Sequence, residues 1–154
     1  MLAELRREVF RDYASALDAV LALPLPPDER LVRILTTIGD VVVRNVDLER
    51  VFREAESADA MQRAALEGRL RLARRAATLH ADGVRLGIFR DEDPELTAQL
   101  VVTLFDNVLY EAITYQRPAE LGVLVHHATR FVLRGVGVDE ARITQLIALS
   151  RPEP

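Results

Sequence analysis

The sequence predicts an all-α fold, a helical bundle of six to seven helices in a single domain. Three observations carry this reading. Apolar residues recur at three- and four-residue steps along most of the chain. No stretch of useful length alternates with the period of two that a strand requires, and no internal repeat is present. Prolines, glycines and acidic caps cut the periodic segments into pieces of helical length. At 154 residues the chain suits one domain, and a domain of that size buries roughly 70% of its unfolded surface. With 49% hydrophobic and 29% charged residues it is not a disordered sequence.

The first helix is written by Leu2, Leu5, Val9, Tyr13, Ala16, Val20 and Leu23 and ends before Pro24, with Glu4, Arg7, Glu8, Arg11, Asp12 and Asp18 on the other face. Leu25-Pro26-Pro27 is a rigid connector. Asp28 and Glu29 open the second helix, with Leu31, Ile34, Leu35, Ile38, Val41 and Val42 on its apolar face. Asn45-Val46-Asp47 reads as a stop and a new cap before a short third helix bearing Leu48, Val51, Phe52 and Ala55. Ser57 is the expected cap of a long fourth helix to about Leu86. One stripe on it is Leu66, Leu70, Ala73, Ala77, His80 and Val84; a second is Leu72, Ala76 and Leu79. Gly87 sits where a left-handed C-terminal residue belongs.

The segment Asp93 to Tyr115 follows, opened by Asp93, Pro94 and Glu95 as cap, first residue and first-turn acid. As a helix it is roughly 34 Å long. Leu100, Val101, Leu104, Phe105, Val108, Leu109, Ala112 and Ile113 cover more than one stripe, so both its own domain and something else must cover it. Pro118 opens a second helix to about Arg134, and with only Gln116 and Arg117 between them the two are antiparallel neighbours. The hairpin reads as half of a four-helix interface between two copies of the chain, through Val101, Phe105, Val108 and Ala112 on one helix and Leu121, Leu124, Val125, Ala128 and Phe131 on the other. A Gly135-Val136-Gly137 break and a cap at Asp139 lead to a last helix ending near Leu149, and the tail Arg151 to Pro154 is expected to fray.

Composition excludes several chemistries. Without cysteine there are no disulfides, thiolate zinc sites or cysteine nucleophiles. All 20 basic residues are arginine, which removes Schiff-base and phosphate-loop lysines, and the net charge of −4 does not suit a nucleic-acid surface. No signal peptide is expected at the charged N-terminus and no membrane span along the chain, which fits a cytoplasmic protein. Serine occurs only at 15, 57 and 150, none within Gly-x-Ser-x-Gly. The chain is therefore not read as an enzyme, and no cofactor is expected. His126 and His127 point about 100° apart on a helix, so they do not read as a metal pair.

The stretch His80-Ala-Asp-Gly-Val-Arg-Leu-Gly-Ile-Phe-Arg-Asp-Glu-Asp-Pro-Glu-Leu-Thr-Ala98 resembles the junction between two helices in the C-terminal domain of TetR-family transcriptional regulators. There a long helix ends in a similar glycine-containing phrase and the next opens on an acidic one. The Pro-Pro-Asp-Glu-Arg-Leu start of the second helix and the late hairpin are similar too, so the likeness spans about Leu5 to Arg134. It departs from the family in one respect: no helix-turn-helix precedes Leu2. The resemblance implies an effector-binding and homodimerisation domain of a ligand-responsive repressor, a small apolar or amphipathic effector, and DNA contact only through a helix-turn-helix module outside these residues.

A cavity in such a domain would be lined by Ile38, Val41, Phe52, Leu70 and the small residues Ala73, Ala76 and Ala77, largely apolar as ligand sites are. His80, on the apolar stripe, is either a polar pocket group or a core-edge histidine bonded to a carbonyl. Thr103, Asn107, Tyr110 and Thr114 form a polar stripe beside Asp106, for which cavity, water and partner subunit are all open; Asp106 is expected to be solvated or paired with arginine. Thr37 is a further pocket candidate. Arg69, Arg71, Arg74 and Arg75 are either a solvated face or a contact for an anionic ligand group.

Overall fold

The computed structural model describes residues 1–55, 58–114 and 118–149. Seven helices are described: α1 (Leu2–Leu21), α2 (Pro27–Arg44), α3 (Val46–Glu54), α4 (Asp59–Arg85), α5 (Pro94–Thr114), α6 (Pro118–Gly135) and α7 (Glu140–Leu149). No strand occurs among the described residues. α4 is the spine, packed against α1 on one side and α5 on the other; α5 packs on α6, α6 on α2, and α7 closes over α2 and α6. The expected Ser57 cap, the Gln116-Arg117 connection, the Tyr115 end of the hairpin's first helix and the tail lie outside the described residues.

Several helix ends are built as their sequences ask. Gly87 has φ +69°, a conformation glycine adopts without cost. The Gly87 N–H donates to the Val84 carbonyl at 2.9 Å and the Ile88 N–H to the Gly83 carbonyl at 2.8 Å, the paired bonds of a Schellman closure. The same closure ends α6, where the Val138 N–H donates to Leu133 at 3.0 Å and Gly137 takes φ +95°. Asp93 caps α5 by accepting from the Leu96 N–H at 2.8 Å, and Asp139 caps α7 by accepting from Arg142 at 2.9 Å.

Three faces are turned differently from the sequence expectation. α1 buries Arg6, Phe10, Tyr13, Ala14 and Leu17, while Leu5 and Leu23 are exposed. The rotation is fixed at Gly68 of α4: a Cβ there would lie 2.2 Å from the Phe10 ring, so the two helices touch at that point. On α4, Leu66 and Leu70 face solvent; the buried face is Met61, Ala64, Ala65, Gly68, Leu72, Ala73 and Leu79, small side chains that let α1 and α5 approach. On α3, which starts at Val46 rather than after Asp47, Val51 is exposed and Glu49 is buried beside Phe52. Among the described helices, α5 is long and apolar enough to cross a membrane by length and composition alone. In the fold it packs between α4 and α6.

Candidate ligand-binding site

A cavity of about 80 Å³ lies between α1, α2, α4 and α5. Its body is apolar. α1 contributes Phe10 and Leu17, α2 contributes Leu31, Ile34, Leu35 and Ile38, α4 contributes Leu72, Ala76 and Leu79, and α5 contributes Val101, Phe105, Leu109 and Ile113. Each set follows helical spacing, so four apolar stripes meet without filling the centre.

Its polar parts are charged groups that satisfy one another. Glu49 on α3 accepts from Arg6 Nη1 at 2.6 Å and from the Tyr13 hydroxyl at 2.7 Å. Burial and the adjoining Glu49 charge raise the Tyr13 pKa, which keeps the phenol a donor. The Arg6 guanidinium lies 4.7 Å from the ring centres of both Phe10 and Phe52, so its flat faces are covered while its edge serves Glu49. Beside this group, Asp106 of α5 accepts from Arg53 Nη2 of α3 at 2.5 Å and from Arg69 Nη1 of α4 at 2.9 Å. Burial pushes the Asp106 carboxyl up, but the hydrogen bonds and charges of Arg53 and Arg69 outweigh it and hold it below its ordinary value. Arg75 also lines the cavity, with its guanidinium bound in two places by Asp18 at 2.7 and 2.8 Å.

The structure brings some of the sequence candidates together and separates others. Ile38 lines the cavity, and so does Ala76 among the three alanines. Phe52 is fully buried beneath Arg6, and Ala73 is buried in the helix packing. Val41 and Ala77 are half-buried away from the lining. Leu70, Thr103, Asn107 and Tyr110 are on the outside of the molecule, with Arg53 5.3 Å from the Tyr110 ring. Thr37 lies in a wider groove of about 630 Å³ between α2, α6 and α7, near Thr36, Asp40 and His126. His80 is buried against Phe89, ring centres 5.5 Å apart and nearly parallel, with Nε2 unbonded, and it does not reach the cavity. Burial lowers its pKa, partly offset by the charge of Glu92.

The hairpin residues divide in the same way. Phe105 and Val101 line the cavity. Ala112, Leu121, Val125 and Ala128 are buried within the chain, Val108 and Leu124 are half-buried, and Phe131 is 65% exposed. Among the described residues, the large exposed apolar groups of the hairpin are, with Phe131, Leu96, Leu100, Tyr110 and Val123.

Among the polar residues at the cavity, sequence reasoning missed Arg6, Tyr13 as a hydrogen-bond donor, Glu49 and Arg53. One signal was available: Arg6, Phe10, Tyr13 and Leu17 follow the same three- and four-residue steps as the stripe chosen for α1. Nothing in the sequence pairs Arg6 with Glu49, 43 residues away.

No protein-family model matches the chain, and no curated protein matches it. A solved structure does: the crystal structure of RolR in complex with the ligand resorcinol superposes with a TM-score of 0.70 over 99% of this chain and 71% of that one, at 21% identity. The chain thus shares its all-helical fold with a protein solved with a small ligand bound.

Proposed function

We propose that the chain is the effector-binding and homodimerisation domain of a TetR-like transcriptional regulator, a ligand-responsive repressor. DNA is then read by a helix-turn-helix module outside these residues. The observation that carries this reading is the position of α5. One face of it (Val101, Val102, Phe105, Asp106, Leu109 and Ile113) is a wall of the cavity. The opposite face (Leu96, Leu100, Thr103, Asn107, Tyr110) is exposed, and so are Val123 and Phe131 of α6. An exposed apolar patch on a long hairpin suits contact with a second copy. A single helix then touches both effector and partner subunit.

The effector is small and mostly apolar. A cavity of about 80 Å³ is roughly half the ~150 Å³ of an apolar cavity that accepts benzene. A ring can enter only as the helices give way. That is a useful property, because a ligand shifts a conformational equilibrium only by its differential affinity for the two arrangements. RolR carries resorcinol, a single ring with two hydroxyls, and the mixture of apolar wall and charged end here suits a molecule of that type. Both carboxylates at the cavity are engaged by arginines, which supports binding rather than acid–base catalysis.

The small volume favours a second reading, a dimerisation module with no ligand. The variant Ala76→Phe separates the two, since Ala76 lines the cavity. Thermal unfolding with and without millimolar resorcinol is expected to show stabilisation of the wild type and none of Ala76→Phe, with both remaining dimers. Equal responses of the two proteins would favour the ligand-free module.

A further inference from the structure

The two carboxylates at the polar end of the cavity are not equivalent. Glu49 is closed off: one oxygen is taken by Arg6, the other by Tyr13, and its side chain is only 4% exposed. Asp106 is more open. Its side chain is 21% exposed and that of its partner Arg69 is 30% exposed. An ionised carboxylate offers about four acceptor sites. Arg53 and Arg69 reach Asp106 at 2.5, 2.9 and 3.4 Å, the last too long for a strong bond. Asp106, which is among the residues lining the cavity, therefore has acceptor capacity left. Flanked by two arginines it is ionised and accepts only, so a group bound to it must donate. A hydroxyl or N–H meets that condition; a ligand carboxylate does not. Phe105 and Leu109, on the same helix, offer the rest of the molecule an apolar wall.

We propose that Asp106 is the polar anchor of the cavity, and that the effector is a neutral molecule no larger than one ring whose hydroxyl or N–H donates to it. This rests on reading the cavity as a ligand site. Arg53, Arg69 and Asp106 belong to α3, α4 and α5, so a donor inserted at Asp106 acts where three helices are tied together.

The test is an NMR titration of the chain with three probes of one ring size: phenol, toluene and benzoate. Phenol is expected to bind about tenfold more tightly than toluene, the margin of one charge-assisted hydrogen bond, and benzoate most weakly. Asp106→Ala is expected to bring phenol down to the level of toluene while toluene is unchanged. Asp106→Asn, which keeps the side-chain volume between the arginines, is expected to lose most of the phenol preference and serves if the alanine variant unfolds. Equal binding of phenol and toluene, tightest binding of benzoate, or an undiminished phenol preference in Asp106→Asn would each overturn the anchor while leaving the ligand site standing. Failure of all three probes to bind would overturn both.

Discussion

At the scale of residues, the buried charges decide the interior more than any apolar side chain does. Arg6 and Glu49 are both nearly inaccessible to water, and their stability depends on mutual pairing plus the Tyr13 hydroxyl. Removing one member leaves the other charged and buried, which costs about 3–5 kcal/mol. Glu49→Ala is expected to lower the unfolding free energy in urea by that order, and Tyr13→Phe by about 1 kcal/mol for a single bond lost. His80 yields a pH prediction. Burial lowers its folded pKa below its ordinary value of 6.5, so the unfolded chain binds the proton first. Its unprotonated form contributes full stability above pH 6.5, and that contribution falls as pH drops below this value toward the folded pKa. Unfolding melts are expected to show this loss on acidification in the wild type and a smaller one in His80→Gln. This scale was the least legible in the sequence. Arg6 has the same composition signal as the solvated arginines around it, and only the arrival of Glu49 from another helix makes it a core residue.

At the scale of elements, the sequence was most informative at helix ends. Gly87, Asp93 and Asp139 act locally, through bonds spanning a few residues, so their roles could be read without the rest of the fold. Faces were harder. α1 and α4 each carry enough apolar residues for two stripes, and the choice between them is made by close contact at Gly68 and Phe10, which no local pattern encodes. A second close contact follows the same logic. A Cβ at Gly83 would lie 2.0 Å from the Phe89 ring. Gly83→Ala is therefore expected to cost about 1–3 kcal/mol through overpacking. Gly87→Ala meets nothing within 4 Å and is expected to cost about 1–2 kcal/mol through its left-handed backbone. Denaturant titration of both, with Phe89→Leu introduced beside Gly83→Ala, separates the causes: the smaller side chain should relieve the first and not the second.

At the scale of the whole molecule, four helices leave a small apolar space at their meeting point, and the helix that forms one wall of it presents its other face to solvent. The class of fold was legible because helical periodicity is a property of segments. The cavity was legible only in part: Ile38 and Ala76 could be named from their stripes, while Phe105 was assigned to the interface and Phe10 and Leu17 lie off the stripe chosen for α1. Periodicity tells which side of a helix is covered, not which buried residues border a void. The same distinction applies to the hairpin. Its deeply buried residues, Leu121 and Ala128 among them, serve the chain's own core, and the proposed interface falls to the outward ones. Phe131→Asp is accordingly expected to convert dimer to monomer with the fold retained, as read by light scattering and circular dichroism; an unchanged mass would move the interface elsewhere.

The most direct test of the central reading, that one helix serves both a ligand cavity and a self-association face, is native mass spectrometry of the chain as purified from cells, run beside Ala76→Phe. The account predicts a dimer for both proteins and a discrete extra mass, of a molecule of single-ring size, on the wild type alone. A wild-type monomer would contradict it, because the exposed apolar face of the hairpin would then have no partner.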